Sequence, residues 1–135
     1  MIVLDATVAI KILTREPGSD AALNRIVQEV DRLAPDWIRI EVASALAKKV
    51  KFNGLSERAA VAGKASLPLL VTGEAATLDL LDEAFALSLR LSHAVYDCLY
   101  LALAQREDCP VVTHDADFAR AAQRCGLTQY VELLT

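Results

Sequence analysis

The aliphatic run Ile2-Val3-Leu4 passes directly into Asp5 and then, from Thr7 to Leu13, into a pattern of helical period. It reads as a short buried strand feeding a helix. Val111-Val112-Thr113, preceded by Pro110, reads as a second such strand, followed by a helix over Asp117 to Cys125 and then Gly126. Between them the spacing predicts further helices. One follows the Pro17-Gly18 break, capped by Ser19 or Asp20, with Leu23, Ile26, Val27 and Val30 in register. One runs from Ile38 to Val50 and stops at Asn53-Gly54, with Lys48, Lys49 and Lys51 in its last turns, where the macrodipole favours cations. One opens at Ser56-Glu57 and ends near Pro68. Ala75 to Leu91 is amphipathic, with Leu78, Leu81, Phe85 and Leu89 on one face. Val95 to Glu107 is helical again, and Tyr130-Val131 reads as a small closing strand. Short buried strands alternating with helices indicate an α/β fold with a largely parallel sheet, whose ligands sit beyond the carboxyl ends of the strands.

A chain of 135 residues that is 54% apolar can bury a substantial core, and no repeat or Pro/Gly/Ser linker divides it, so residues 1–135 are expected to form one domain. The most apolar stretch, Ala94 to Ala104, is too short for a membrane span and carries Asp97. The opening MIVLDAT lacks the basic lead and cleavage site of a signal peptide, so a cytoplasmic protein is expected, without a membrane partner. Cys98, Cys109 and Cys125 are widely spaced with no CxxC, which fits a reducing compartment. Lys plus Arg is 14 and Asp plus Glu 18, a net charge of −4, which argues against a broad basic surface for nucleic acid.

The residues after the two strands are acids. Asp5 ends the first and Asp115 lies just past the second, so one sheet edge can bring them together. Asp97 stands in the first turn of an apolar helix, four residues after His93, and Glu41 stands near the start of the Ile38 to Val50 helix among Ile40, Val42, Ala43 and Ala45. An unpaired carboxylate on an apolar face is costly, and a cation is the simplest compensation. Each acid also has a plainer reading: Asp5 and Asp115 as caps or turn residues, Glu41 as a solvated helix residue, Asp97 as a dipole partner. Together, four carboxylates at strand ends and first turns repel one another unless protons or metal intervene. Oxygen ligands without a His/Cys set favour Mg²⁺ or Mn²⁺ over zinc, and such ions serve phosphodiester and phosphoryl chemistry.

Four blocks in order resemble the PIN domain and, within it, the VapC-type toxin ribonucleases. They are Ile2-Val3-Leu4-Asp5-Ala6-Thr7, the proline-led Ala34 to Leu46 segment containing Glu41 and Ala45-Leu46, Tyr96-Asp97-Cys98-Leu99-Tyr100-Leu101-Ala102-Leu103-Ala104, and Val111-Val112-Thr113-His114-Asp115-Ala116-Asp117-Phe118. The resemblance covers Ile2 to Phe118. It implies a three-layer α/β/α sandwich with a short, mainly parallel central sheet and an acidic metal-binding cavity. It further implies Mg²⁺- or Mn²⁺-dependent endoribonuclease activity on RNA, a cognate antitoxin whose C-terminal segment covers the site, and a homodimer or a toxin–antitoxin hetero-oligomer. Asp5, Glu41, Asp97 and Asp115 match the acidic quartet in catalytic and metal-binding roles. Thr7 matches the small hydroxyl that supports metal-bound water, and Thr113 the polar residue that orders the fourth acid. Asp117 is either a supporting acid or a helix cap. Ala6 departs from the threonine frequent in the toxins, which removes no carboxylate.

His114 is read as a surface histidine or a substrate contact, and His93 as a helix-start residue rather than a ligand. Lys11, Arg15, Lys48 and Lys49 are candidates for holding RNA phosphates beside the cavity. The alanine-rich Glu57 to Leu70 helix is a candidate interface to the antitoxin or a second copy, or else a core helix. A phosphotransferase using Asp5 as nucleophile is disfavoured, because Thr7 stands where the second aspartate of that class belongs. A PIN nuclease of RNA maturation, or a non-catalytic binding module of the same fold, are the other readings.

Overall fold

A computed structural model describes residues 1–135. In chain order the elements are β1 (Ile2–Leu4), α1 (Ala6–Leu13), α2 (Ser19–Ile26), β2 (Arg32–Pro35), α3 (Ile38–Phe52), α4 (Glu57–Leu70), β3 (Gly73–Ala75), α5 (Thr77–Leu91), α6 (Val95–Glu107), β4 (Val111–Thr113), α7 (Ala116–Arg124) and β5 (Val131–Leu133), with a 3-10 turn at Thr128–Tyr130. The five strands form one sheet in the order β3-β2-β1-β4-β5, and every pairing is parallel. Val3 sits opposite Leu33 on one side and Val111 on the other. Ile2, Val3 and Leu4 are fully buried, as the unbroken aliphatic run requires of a central parallel strand.

Helices α1 to α4 pack on one another, and α5 packs on α6 and α7, while α6 also lies against β1, β2 and β4. The result is the expected three-layer α/β/α sandwich. Its core is one continuous cluster of 33 buried residues. Helix α6 is its centrepiece: every residue from Cys98 to Ala104 is buried, which accounts for a helix apolar nearly all round. All three cysteines are free thiols. No helix is long and apolar enough to cross a membrane.

Several local expectations are corrected. The face of α5 formed by Leu78, Leu81, Phe85 and Leu89 is exposed. The helix carries a second apolar stripe, Leu80, Ala84, Leu87 and Leu91, and that stripe is the one buried, chiefly toward α6. Helix α2 stops at Ile26, leaving Val27 and Val30 exposed, and its N-cap is Gly18 in the left-handed region (φ +90°) rather than Ser19 or Asp20. Helix α4 spans Glu57–Leu70 as expected, with Pro68 inside its last turn, where a proline removes one backbone donor without ending the helix.

The chain moves from β1 to β2 and β3 on one side and then to β4 and β5 on the other, so the winding reverses between β1 and β4. A doubly wound sheet opens a crevice at that point, beyond the carboxyl ends of the two strands. Leu4 leads into Asp5 there, and Thr113 leads into His114-Asp115.

Candidate functional site

Asp5 and Thr113 are the only buried polar residues of the chain. Asp5 Oδ2 accepts a hydrogen bond from Thr7 Oγ1 and another, at 2.8 Å, from Thr113 Oγ1. Each hydroxyl accepts in turn: Thr7 Oγ1 from the His114 N–H and Thr113 Oγ1 from the Asp115 N–H, both at 3.0 Å. The two threonines thereby tie the end of β1 to the end of β4 and set the two aspartates relative to each other. Asp115 Oδ1 accepts from the Phe118 N–H at 3.1 Å, so Asp115 also caps α7.

Glu41 and Asp97 come from the first turns of α3 and α6. Trp37, just before α3, stacks on Tyr96 with ring centroids 5.2 Å apart and planes 7° apart. That contact joins the two helix starts and brings both acids toward the β1–β4 crevice. Glu41 Oε1 accepts from the Tyr100 hydroxyl at 2.8 Å. Asp97 Oδ2 lies 2.6 Å from His93 Nε2. His93 stacks on Phe118, with centroids 5.4 Å apart.

The electrostatics couple the acids. Burial pushes Asp5 up to about 6; the threonine hydroxyls oppose the rise and the Asp97 charge adds to it. Burial pushes Glu41 up to about 7, against its Tyr100 hydrogen bond and with the help of the Asp5 and Asp97 charges. Asp97 is raised too, by burial first and by the Asp115 charge, with His93 pulling the other way. Asp5, Glu41, Asp97 and Asp115 thus form one chain of mutually repelling carboxylates, the electrostatic signature of a site that a cation would relieve. One ligand atom each from His93, Asp97 and Asp115 lies within 4.8 Å of the others. Carboxylates converging from strand ends and helix starts fit a divalent metal ion.

The remaining predicted residues are placed elsewhere. Asp117 is largely exposed and pairs with Arg120, while Asp115 takes the cap position. His114 is half-buried, its Nδ1 3.1 Å from the Leu134 carbonyl oxygen. Lys49 pairs with Glu16 at 3.2 Å, and Lys11 lies beside Pro17, Gly18 and His114. Arg15 borders an apolar cleft of about 560 Å³ between α1, α2 and α4. Lys48 is exposed two turns beyond Glu41, about 10 Å along the helix axis. Asp36, at the end of β2, is taken up by Thr77, whose N–H and hydroxyl both donate to its Oδ1.

One residue of the site, Tyr100, escaped the sequence reading, and another, His93, was given a plainer role there. Tyr100 falls three residues after Asp97, on a shared helical face, a signal that was available. His93 precedes α6, and its ring lies against Asp97 and within 4.8 Å of a ligand atom of Asp115.

The PIN domain family model matches residues 2–124, a span that includes all four acids. The chain is 32% identical over 119 residues to Ribonuclease VapC1 of Mycobacterium tuberculosis strain CDC 1551 / Oshkosh, covering 88% of this chain and 89% of that protein. The match to Ribonuclease VapC1 of strain ATCC 25618 / H37Rv has the same identity and coverage. With its doubly wound parallel sheet and the acids gathered at the switch point, the chain belongs to the PIN domain family.

Proposed function

We propose that this protein is a divalent-metal-dependent endoribonuclease, the toxin of a toxin–antitoxin pair acting in the cytoplasm, and that Asp5, Glu41, Asp97 and Asp115 are its metal-binding and catalytic residues. The observation that carries the reading is the convergence of these four coupled carboxyls at the β1–β4 crevice. Likeness to two proteins named ribonucleases, over nearly the whole length of each, supports RNA as the substrate.

When bound, Mg²⁺ or Mn²⁺ supplies Lewis acidity toward the phosphodiester oxygens. The chain's own residues do the rest. Thr7 and Thr113 hold the Asp5 carboxylate by two hydroxyl donors and leave its Oδ1 free of both. Tyr100 fixes one oxygen of Glu41 and leaves Oε2 for the cavity. Phe118 fixes Asp115 through its backbone N–H. Glu41, pushed up to about 7 without an ion, gives up its proton when the ion binds, so metal affinity is expected to rise with pH through neutrality. Lys48, exposed on α3 beyond Glu41, is the lysine proposed to meet RNA phosphates. The apolar cleft between α1, α2 and α4, lined among others by Ile12, Leu23, Leu55 and Leu69, supports docking of a partner protein such as the antitoxin.

The test is cleavage of RNA by the purified protein with Mg²⁺, Mn²⁺ or EDTA, beside Asp97→Asn. Cleavage is expected with metal, none with EDTA, and a loss of at least about 100-fold in the variant. Cleavage that survives both EDTA and the substitution overturns the reading.

A further inference from the structure

His93 is held more firmly than a surface histidine needs. Its carbonyl accepts from the Ser88 hydroxyl and its N–H donates to the Ser88 carbonyl, which anchors its backbone to the last turns of α5. Its ring lies on Phe118, and the N–H of that same Phe118 holds Asp115 Oδ1. One residue thus sets both the imidazole and a carboxylate of the site. The ring's Nε2 points at Asp97 Oδ2, 2.6 Å away, and Nε2 falls within the group of donor atoms shared with Asp97 and Asp115. The side chain is 18% exposed, enough to be reached from the cavity.

We infer that His93 is a direct ligand of the metal centre, so that the ion is held by an imidazole nitrogen together with carboxylate oxygens of Asp97 and Asp115, a mixed donor set that selects a transition-metal ion such as Mn²⁺ over Mg²⁺. The inference rests on the metal-nuclease reading above. Its chemistry is general: Mg²⁺ is satisfied by oxygen, whereas a neutral imidazole adds affinity for first-row transition ions. Any proton bridging Nε2 and Oδ2 is released to solvent when the ion binds, because a ligating histidine is neutral and a ligating carboxylate ionised.

The experiment uses the full chain stripped with EDTA and loaded with one equivalent of Mn²⁺. Pulsed electron paramagnetic resonance is expected to show the hyperfine coupling of a directly bound imidazole nitrogen. The coupling should change when histidine is labelled with ¹⁵N, persist in His114→Asn and vanish in His93→Gln. By equilibrium titration, His93→Gln should weaken Mn²⁺ about 10-fold or more while Mg²⁺ changes by less than about twofold. Circular dichroism of the metal-free variant checks that it is folded. Bound Mn²⁺ without nitrogen coupling, with Mn²⁺ and Mg²⁺ weakened equally in His93→Gln, overturns the inference and reduces His93 to a hydrogen-bond donor to Asp97, leaving the nuclease reading intact. Failure of the parent protein to bind Mn²⁺ or Mg²⁺ at all overturns both.

Discussion

Thr113 Oγ1 donates to Asp5 Oδ2 and accepts from the Asp115 N–H, so one fully buried hydroxyl serves the acids of two neighbouring strands. Valine has nearly the same shape and neither capacity. Thr113→Val should leave the Asp115 N–H unpaired and deprive Asp5 of one of its two hydroxyl donors, at a cost of about 1–3 kcal/mol. Urea denaturation is expected to show a lower midpoint with an unchanged slope, and Thr113→Ser should recover most of the loss. The raised carboxyls make a second claim at this scale. Glu41 at about 7 and Asp5 at about 6 bind their protons more tightly folded than unfolded, each chiefly because of burial. Between roughly pH 4 and 7 these two groups therefore carry more protons in the folded state, and by linkage their contribution to the stability of the metal-free protein falls as pH rises through that window, against the lowered His114, Glu16, Glu29 and Asp36, whose contributions rise with pH. The Glu41 share is on the order of 1–3 kcal/mol, given that the side chain is only partly shielded. Thermal melts in EDTA from pH 4 to 8 should show the parent's midpoint dropping relative to that of Glu41→Gln as pH rises, with the variant the more stable of the two at pH 8. A parent-minus-variant difference that does not change with pH would contradict the burial of Glu41.

Among the elements, α4 packs on α1 and α3 through Gly63, whose missing Cβ would lie 3.6–3.7 Å from the Leu13 carbonyl oxygen, Leu13 Cβ and a Leu46 methyl. Those are ordinary contact distances, so the glycine is not demanded by crowding. Gly63→Ala should stabilise the protein by about 0.5–1 kcal/mol through helix propensity and the unfolded chain, read as a higher melting midpoint. The same elements show how far the fold is legible in the chain itself. β1 and β4 are legible because each aliphatic run is too brief for a helix and too apolar for a loop, and with them come Asp5 and Asp115. β2 and β3 are not: Arg32-Leu33-Ala34-Pro35 and Gly73-Glu74-Ala75 carry little strand propensity of their own. They are extended because β1 offers β2 a parallel edge and β2 offers one to β3, a tertiary effect that local propensity does not encode. α5 is legible as a helix but not in its orientation, since two apolar stripes of equal period compete and only the neighbouring α6 decides between them. His93 is legible as the residue four before Asp97 but not as a neighbour of Asp115. It lies outside helix α6, and its reach to Asp115 depends on Phe118, a residue of another element.

For the molecule as a whole, the net charge of −4 is equal in size to the four carboxyls of the proposed site. Subtracting Asp5, Glu41, Asp97 and Asp115 from the 18 acids leaves 18 − 4 = 14, which balances the 14 Lys and Arg. A chain that concentrates its excess charge in one crevice resists folding there and is stabilised by whatever ion enters it. At a divalent concentration of about 100 times the dissociation constant, linkage adds about 2.7 kcal/mol. For a domain of this size that is a rise in the melting midpoint of roughly 10 °C. Differential scanning fluorimetry with Mn²⁺ or Mg²⁺ against EDTA reads it directly. Asp97→Asn should abolish most of the rise and, by removing one repelling charge, melt above the parent protein when both are metal-free. Sodium chloride at matched ionic strength separates binding from screening. Screening acts most on exposed charges and less on a cluster of one buried and three half-buried carboxyls, so monovalent salt should give only part of the shift. An equal shift with sodium chloride, or one retained in Asp97→Asn, would mean that the four carboxyls share a crevice without sharing an ion.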